Sequence, residues 1–410
     1  MQAVPRVGKF IYVWISTFCL LFIFSFPVAF EVLPDLSGAI GNLITPILEF
    51  LGRVFFGINN SAVQAGILSD SMNMYLLCFV CCSIGLVFAI IWTWKLKEKI
   101  KIEKWTFWFM QIARYYLVIQ MFQYGLNKLF KFQFFFPEPN TLFTTIGQSS
   151  KDILFWSAMG SSYEYTVFAG VVELVCACLL LLRKTRVLGA LLLAGVMFNV
   201  MMINFSFDIS VKLLSTFLFL LCILIIVPDF KRLVGFFIRN RVVEPAVLWK
   251  PKFVINQSIF YKLTKVLLVA FVIMDAFFPY VKMKSFNDDL GPKPYLHGAY
   301  QVTSLSGDQV QWKNAFVHRE GYFIIQDWTD KFSDYEMQVD TIINVISVYE
   351  NQQEIGVMGF RDEPGFLKVF GKFNNERVDL LFNKIDLSSL PISENDFHWT
   401  TDDYLFPTTD

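Results

Sequence analysis

Through the first 281 residues, uncharged apolar runs of bilayer-crossing length alternate with short polar stretches, and beyond residue 285 the period of the pattern shortens. A helix needs about 20 mainly apolar residues to cross the hydrocarbon core. On that measure the chain predicts seven spans, at 10–30, 73–94, 106–128, 164–182, 187–206, 209–228 and 263–281, with 31–72 and 129–163 as long outer loops. The stretch 187–228 is nearly free of charge and as one helix would extend about 63 Å, roughly twice the hydrocarbon thickness. It must therefore fold back, at Asn204–Asp208. The first span resembles a signal peptide in position, but its length and the lack of a small-residue cleavage pattern favour an anchor.

In 285–410, short runs such as GYFIIQDW (321–328), INVISVYE (343–350), FLKVFGKF (366–373) and RVDLLFNK (377–384) alternate with Gly, Asn, Asp and Pro. That period predicts antiparallel strands, and Asn374-Asn375 between two runs predicts a hairpin turn. The expected fold is a polytopic α-helical membrane protein of about seven spans with a C-terminal all-β domain, a barrel or a sandwich. The organisation is two N-terminal helices with an outer loop (1–104), spans three to six (105–228), a basic loop with the seventh helix (229–284) and an acidic β-rich domain (285–410). A short amphipathic helix at the membrane surface is expected within 229–262.

Composition sharpens this reading. The chain is 55% hydrophobic and only 17% charged, which excludes an ordinary soluble enzyme. Its net charge of zero hides a split: residues 1–284 hold 26 Lys+Arg against 14 Asp+Glu, and 285–410 hold 9 against 21. Nothing in that distribution suits nucleic acid. Basic clusters fall at Arg6/Lys9, Lys95–Lys104, Arg183/Lys184/Arg186 and Lys231–Lys265, while the alternate loops carry few. All four land on one side if the N-terminus is cytoplasmic. Seven crossings then deliver the tail to the opposite side, so the expected location is the bacterial inner membrane with a periplasmic C-terminal domain.

The seven cysteines (Cys19, Cys78, Cys81, Cys82, Cys176, Cys178 and Cys222) all lie inside apolar runs, where cysteine behaves as a small hydrophobe, and the tail has none to form a disulfide framework. The histidines, His297, His318 and His398, all lie in the tail, so a bis-histidine haem within the membrane has no ligands. Beyond that exclusion of haem, the residues give no ground on which a cofactor bound in the chain can be argued.

Ionisable groups inside spans are costly and mark bundle interiors or pathways. Span three is the richest, with Arg114, Tyr116, Gln120, Gln123, Tyr124, Asn127 and Lys128. At 100° per residue, Tyr116 through Lys128 share about 140° of arc, with Arg114 some 40° beyond. Span four adds Glu173 near the bilayer midplane, and the following hairpin adds Asn204, Asp208 and Lys212. For Arg114 and Glu173 the alternative to a site is a mutual structural ion pair. Asp208 could simply cap a helix, and Lys128 and Lys212 could snorkel. Asp275 could be interfacial, and Tyr280 part of an aromatic belt. The aromatic segment 129–163 is expected to lie in the interface or to cover the polar stripe as a lid, with a short helix starting at Ser149-Ser150-Lys151-Asp152 and running through Trp156 and Met159.

At these residues the chain resembles the long form of the DoxX-like family of bacterial membrane proteins. The resemblance is carried by ARYYLVIQMFQYGLNKLFKFQF (113–134), WSAMGSSYEYTVFAGVVELVCACLLLLRKTRVLGALL (156–192) and NVMMINFSFDISVKLLS (199–215), about 100 residues, with NDFHWTTDDY (395–404) and QWKNAF (311–316) in the tail. It implies a four-helix bundle core over spans three to six, and it carries over Arg114, Tyr124, Gly125, Lys128, Gln133, Glu173, Asn204, Asp208 and Lys212. The family name is associated with the small membrane subunit of a thiosulfate:quinone oxidoreductase, and relatives with thiol and redox homeostasis. This chain lacks the extracytoplasmic cysteines of thiol-active relatives.

Three functions compete. The first is a quinone-facing oxidoreductase subunit, with Arg114, Tyr124, Lys128 and Glu173 as its chemical groups, Gln120, Gln133, Asn204, Asp208 and Lys212 as binding residues, and quinone as a diffusible substrate. A Lys or Tyr donor can stabilise charge on a quinone oxygen while a carboxylate relays the proton. The second is a non-enzymatic module that binds membrane lipid or anchors a periplasmic or membrane protein partner through its acidic β-domain. The third, by loose analogy with vitamin K-dependent carboxylase-like proteins, is a membrane enzyme using Lys128 or Lys212 as base.

Overall fold

The structure, a computed structural model, describes residues 6–25, 30, 32, 36–57, 70–96, 101–244, 255–305 and 312–393. The tail motif 395–404 and His398 lie outside them. The chain divides into a helical unit, Met1–Gln133 with Glu164–Asp288, and a barrel unit, Phe134–Tyr163 with Asp289–Asp410.

The helical unit contains α1 (Arg6–Ser25), α2 (Leu36–Phe56), α3 (Met72–Ile91), α4 (Ile102–Leu129), α7 (Tyr163–Leu181), α8 (Arg186–Ser206), α9 (Lys212–Ile226), α10 (Phe230–Phe237) and α11 (Ile255–Met283); α5 (Pro139–Leu142) and α6 (Lys151–Ser161) belong to the barrel unit. Among the described residues seven helices, α1, α2, α3, α7, α8, α9 and α11, are long and apolar enough to cross a membrane, as a multi-pass membrane protein requires. Two differences from the sequence reading stand out. α2 falls in 36–56, which the apolar pattern gave as loop, because Pro46, Glu49 and Arg53 interrupt it. The predicted third span is α4, a 28-residue helix whose polar side chains lower its apolarity although Arg114, Gln120 and Lys128 are all buried.

Contacts fix the sense of each helix. Tyr12 meets the Phe109 ring edge-on at 6.1 Å, and Phe22 and Tyr116 both meet Phe217, at 4.6 and 6.1 Å, so α1 and α4 run the same way. Short connections make α3–α4, α7–α8 and α8–α9 antiparallel neighbours. Asp70, immediately before α3, accepts from the Lys212 and Leu213 N–H groups at 2.8 and 3.0 Å, so α3 and α9 start on one face. α11 ends beside the end of α4: Tyr280 Oη donates to Asn127 Oδ1 at 2.7 Å and the Asp288 N–H to the Phe130 carbonyl at 3.0 Å. The helices α1, α3, α4, α7, α8, α9 and α11 thus alternate in sense. Because α1 ends and α3 begins on the same face, α2 adds no net crossing. Asp275 is buried and takes the Val32 N–H at 3.0 Å, and Tyr280 is buried as well, so both side chains face protein within this unit.

In the barrel unit, β1 (Gly298–Leu305), β2 (Trp312–Val317), β3 (Tyr322–Asp327), β4 (Phe332–Asp340), β5 (Val345–Glu350), β6 (Gln353–Glu363), β7 (Phe366–Phe373) and β8 (Glu376–Ile385) form a closed antiparallel barrel in chain order. Closure removes the exposed edges that an open sheet would carry. Alternate residues fill the interior, with Trp312 met edge-on by Phe323 and Phe373 at 5.7 and 5.2 Å. The predicted hairpin forms: Asn374 (φ 49°) and Asn375 (φ 65°) are the two left-handed residues of a two-residue turn between β7 and β8. Gly371 (φ 154°) is required because a Cβ there would lie 2.4 Å from the Val357 carbonyl oxygen across the β6–β7 ladder.

Residues 134–163, most of the aromatic segment 129–163 that was expected to lie in the interface or to cover the polar stripe, group with the barrel unit. The short helix predicted from Ser149 is α6, with Ser150 at its N-cap position. Phe143, just beyond α5, packs on Phe316 at 5.5 Å over an outer patch with Ala299 and Ile324.

Candidate functional site

The polar stripe of α4 meets α7 where two glycines face each other. A Cβ on Gly125 would lie 3.0 Å from the Gly170 carbonyl oxygen, and one on Gly170 would lie 2.6 Å from the Gly125 oxygen. Small residues let helix backbones approach this closely in an apolar bundle. The approach brings Lys128, one turn beyond Gly125, against Glu173. Gly170→Ala should force the helices apart and lower stability by about 1–3 kcal/mol, read as thermal unfolding of the purified protein in detergent; an unchanged midpoint would show that the crossing tolerates a methyl group.

Lys128 Nζ donates to both carboxylate oxygens of Glu173, at 2.9 and 2.8 Å. The two side chains are 9% and 3% exposed, so Lys128 is drawn inward and does not snorkel. The ammonium also lies 5.5 Å from the centre of the half-buried Tyr124 ring. Gln120, buried, completes an i, i+4, i+8 stripe with Tyr124 and Lys128. This arrangement offers a positively charged donor, a phenol and a carboxylate within one turn of each other. Such a set can donate to a carbonyl oxygen and carry its proton.

The other predicted residues sit elsewhere. Arg114 is buried, but it lies almost four turns of α4, about 21 Å, from Lys128. Its Nη2 donates to Gln111 Oε1 at 2.7 Å, and its guanidinium is 5.2 Å from the Tyr115 ring. The carboxylate expected to face Arg114 is therefore held by Lys128. Gln133 closes the end of α4 through its N–H to the Asn127 carbonyl (3.0 Å), while its Oε1 is buried with no hydrogen-bond donor among the described residues. Asn204 builds the α8–α9 turn: its carbonyl accepts from Ile209 N–H at 3.0 Å and its Nδ2 donates to the Val211 carbonyl at 3.4 Å. Asp208, in the left-handed region (φ 56°) and largely exposed, does not cap α9; Asp70 does. Lys212 Nζ lies 2.7 Å from Asp208 and 3.9 Å from Asp70.

A second buried charge cluster, in the barrel unit, escaped the sequence reading. Glu138, at the start of α5, is 4% exposed. It accepts from Arg319 Nε, from the Arg319 N–H at 3.1 Å and from His297 Nε2 at 3.1 Å, with His318 Nε2 at 3.9 Å. The Arg319 guanidinium also covers the Phe135 ring at 3.8 Å. Burial pushes the Glu138 carboxyl up, but the hydrogen bonds from His297 and Arg319 and the Arg319 charge outweigh it and hold it down at about 2. The cluster ties residues 135–143 to the β1 start and the β2–β3 turn. Only the outward FPEP sequence hinted at it, since its partners lie about 160 to 180 residues away. Among the described residues no group of three or more His, Cys, Asp or Glu side chains is arranged to hold a metal ion.

No family model matches the chain, and no solved structure matches it. It is 33% identical over 124 residues, 30% of this chain and 79% of the relative, to the uncharacterized protein YwoB of Bacillus subtilis (strain 168). With four-fifths of that relative aligned at one-third identity, the chain belongs to the family of YwoB.

Proposed function

We propose that this is a DoxX-like protein of the bacterial cytoplasmic membrane whose Lys128–Glu173 pair receives the head group of a quinone, as the membrane subunit of a quinone-linked oxidoreductase. The observation that carries this reading is a bidentate Lys–Glu pair, almost fully buried among apolar helices beside a tyrosine. Taking two charges out of water costs several kcal/mol per ion and is weak evidence for stability, so a chemical use for the pair is the better account. In the proposed reaction Lys128 donates to a quinone oxygen, Tyr124 flanks the ring and Glu173 passes a proton. Reduction to the quinol consumes two electrons and two protons, the electrons supplied by an oxidoreductase partner.

The same reading places the barrel unit outside the cytoplasm. The alternating helices return the chain to the face opposite the start of α1, and the basic clusters around Arg183–Arg186 and Lys231–Arg241 lie on the starting face. The acidity of 285–410 keeps that domain off anionic head groups and suits a protein partner.

Purified protein in lipid nanodiscs should bind a short-chain ubiquinone or menaquinone analogue, and Lys128→Met should weaken that binding at least tenfold, measured by quenching of intrinsic fluorescence. Unsaturable binding, or equal affinity in the variant, would overturn the quinone reading. Co-purification of a protein partner without any quinone binding would then support the anchoring module.

A further inference from the structure

We propose that the elbow after α9 is a binding site for anionic phospholipid on the face where α1 begins; the inference rests on the reading of the chain as a multi-pass membrane protein. α9 gives way to a 3-10 turn, Val227–Asp229, and then to α10, whose sequence is FKRLVGFF. The elbow is rigid. Arg186 Nη2 lies 2.6 Å from Asp229 Oδ2, both side chains are largely buried, and Arg186 Nη1 reaches Met110 Sδ at 3.7 Å. This tie holds the start of α10 beside the α7–α8 turn, which carries Arg183 and Lys184.

Beyond α10 the chain curls back. The Arg239 N–H donates to the Val234 carbonyl at 3.2 Å and the Arg241 N–H to the Gly235 carbonyl at 2.9 Å, with Asn240 in the left-handed region (φ 48°) between them. Gly235 accommodates this return, since a Cβ there would be 3.2 Å from Val243 Cγ1. The backbone of two arginines is thereby held alongside a helix whose rings are open to the outside: Phe230, Phe236 and Phe237 are 57–66% exposed.

Among the described residues 183–186 and 229–244 stand seven cations (Arg183, Lys184, Arg186, Lys231, Arg232, Arg239 and Arg241) and two carboxylates, Asp229, which pairs with Arg186, and Glu244. Orienting a membrane protein needs the positive charges alone. Exposed phenylalanines beside a backbone that holds two arginines call for a surface with hydrocarbon and phosphate at adjacent depths. An anionic leaflet provides both: the rings enter the acyl boundary and the guanidiniums take phosphate oxygens in pairs.

The test uses the full chain in detergent micelles, titrated with dioleoyl phosphatidylglycerol or dioleoyl phosphatidylcholine and followed by native mass spectrometry and thermal unfolding. Phosphatidylglycerol should be retained preferentially and should raise the unfolding midpoint. Arg239→Gln with Arg241→Gln should reduce its apparent affinity at least about tenfold, and Phe236→Ser with Phe237→Ser should weaken it while leaving every charge in place. Removing two cations from the barrel exterior, Lys372→Gln with Arg377→Gln, should change nothing. Equal retention of the two lipids by the wild type, or undiminished preference in either elbow variant, would overturn the proposal. A protein that fractionates away from membranes altogether would instead refute the membrane reading on which it rests.

Discussion

Glu173→Gln is expected to destabilise the helical unit by about 3–5 kcal/mol, because it leaves the Lys128 ammonium buried without its counter-charge. Lys128→Met should cost a similar amount by stranding the carboxylate. The informative variant is the pair Lys128→Met with Glu173→Leu. Two apolar side chains of similar size remove the desolvation cost together with the attraction, so the double variant should recover most or all of the loss. Thermal unfolding in detergent and quinone-analogue binding should be measured on the same samples. A double variant that is stable but binds no quinone would show that the pair serves chemistry. One that binds like the wild type would reduce the pair to a structural contact, and single variants that unfold like the wild type would mean that the charges are solvated.

The second large effect belongs to Glu138. Glu138→Ala strands the Arg319 guanidinium and two histidines around an empty position, and should loosen residues 135–143 from the barrel at a cost on the order of 3 kcal/mol. Hydrogen exchange at 139–143 and limited proteolysis of 134–163 would read this locally. The pH dependence has a definite sign. The carboxyl is held at about 2 against an ordinary 4.5, so its contribution is complete above pH 4.5 and fades as the pH falls toward 2. Protection in wild type should therefore decline through that window, and Glu138→Gln should start lower and change less. Equal protection in wild type and Glu138→Ala at pH 7 would show that Phe143 and its apolar patch hold the segment unaided.

Much of the architecture could be read from local pattern. Apolar runs located six of the seven apolar helices, period-two alternation located β3, β5, β7 and β8, and Asn374-Asn375 marked its turn. These signals are local: a long apolar stretch can satisfy its backbone in lipid only as a helix, and two left-handed residues suit only a tight hairpin. α2 escaped because Pro46, Glu49 and Arg53 dilute its apolarity, and β4 because its burial is shallow and its residues mostly polar. The polar stripe of α4 was equally legible, since helical geometry alone puts Gln120, Tyr124 and Lys128 on one side.

Partner choice was a different matter. A sequence shows which charges enter the membrane but not which helices touch, and contact depends on where backbones approach. The facing pair Gly125 and Gly170 sets the α4–α7 crossing at the level of Lys128, so Glu173 meets Lys128 and Arg114 is left turns away. In the same way Asp70, and not the nearby Asp208, caps α9, because the chain before α3 arrives at that helix end. Glu138 became a buried anion only when barrel closure brought the β1 start and the β2–β3 turn together around it. The sequence by itself determined most of the apolar helices and half of the strands, because those follow from each segment's own exchange of water for hydrocarbon or sheet. The tertiary structure decided which charge neutralises which, because Coulomb attraction in a dry interior rewards only groups that packing has already brought within a few ångströms.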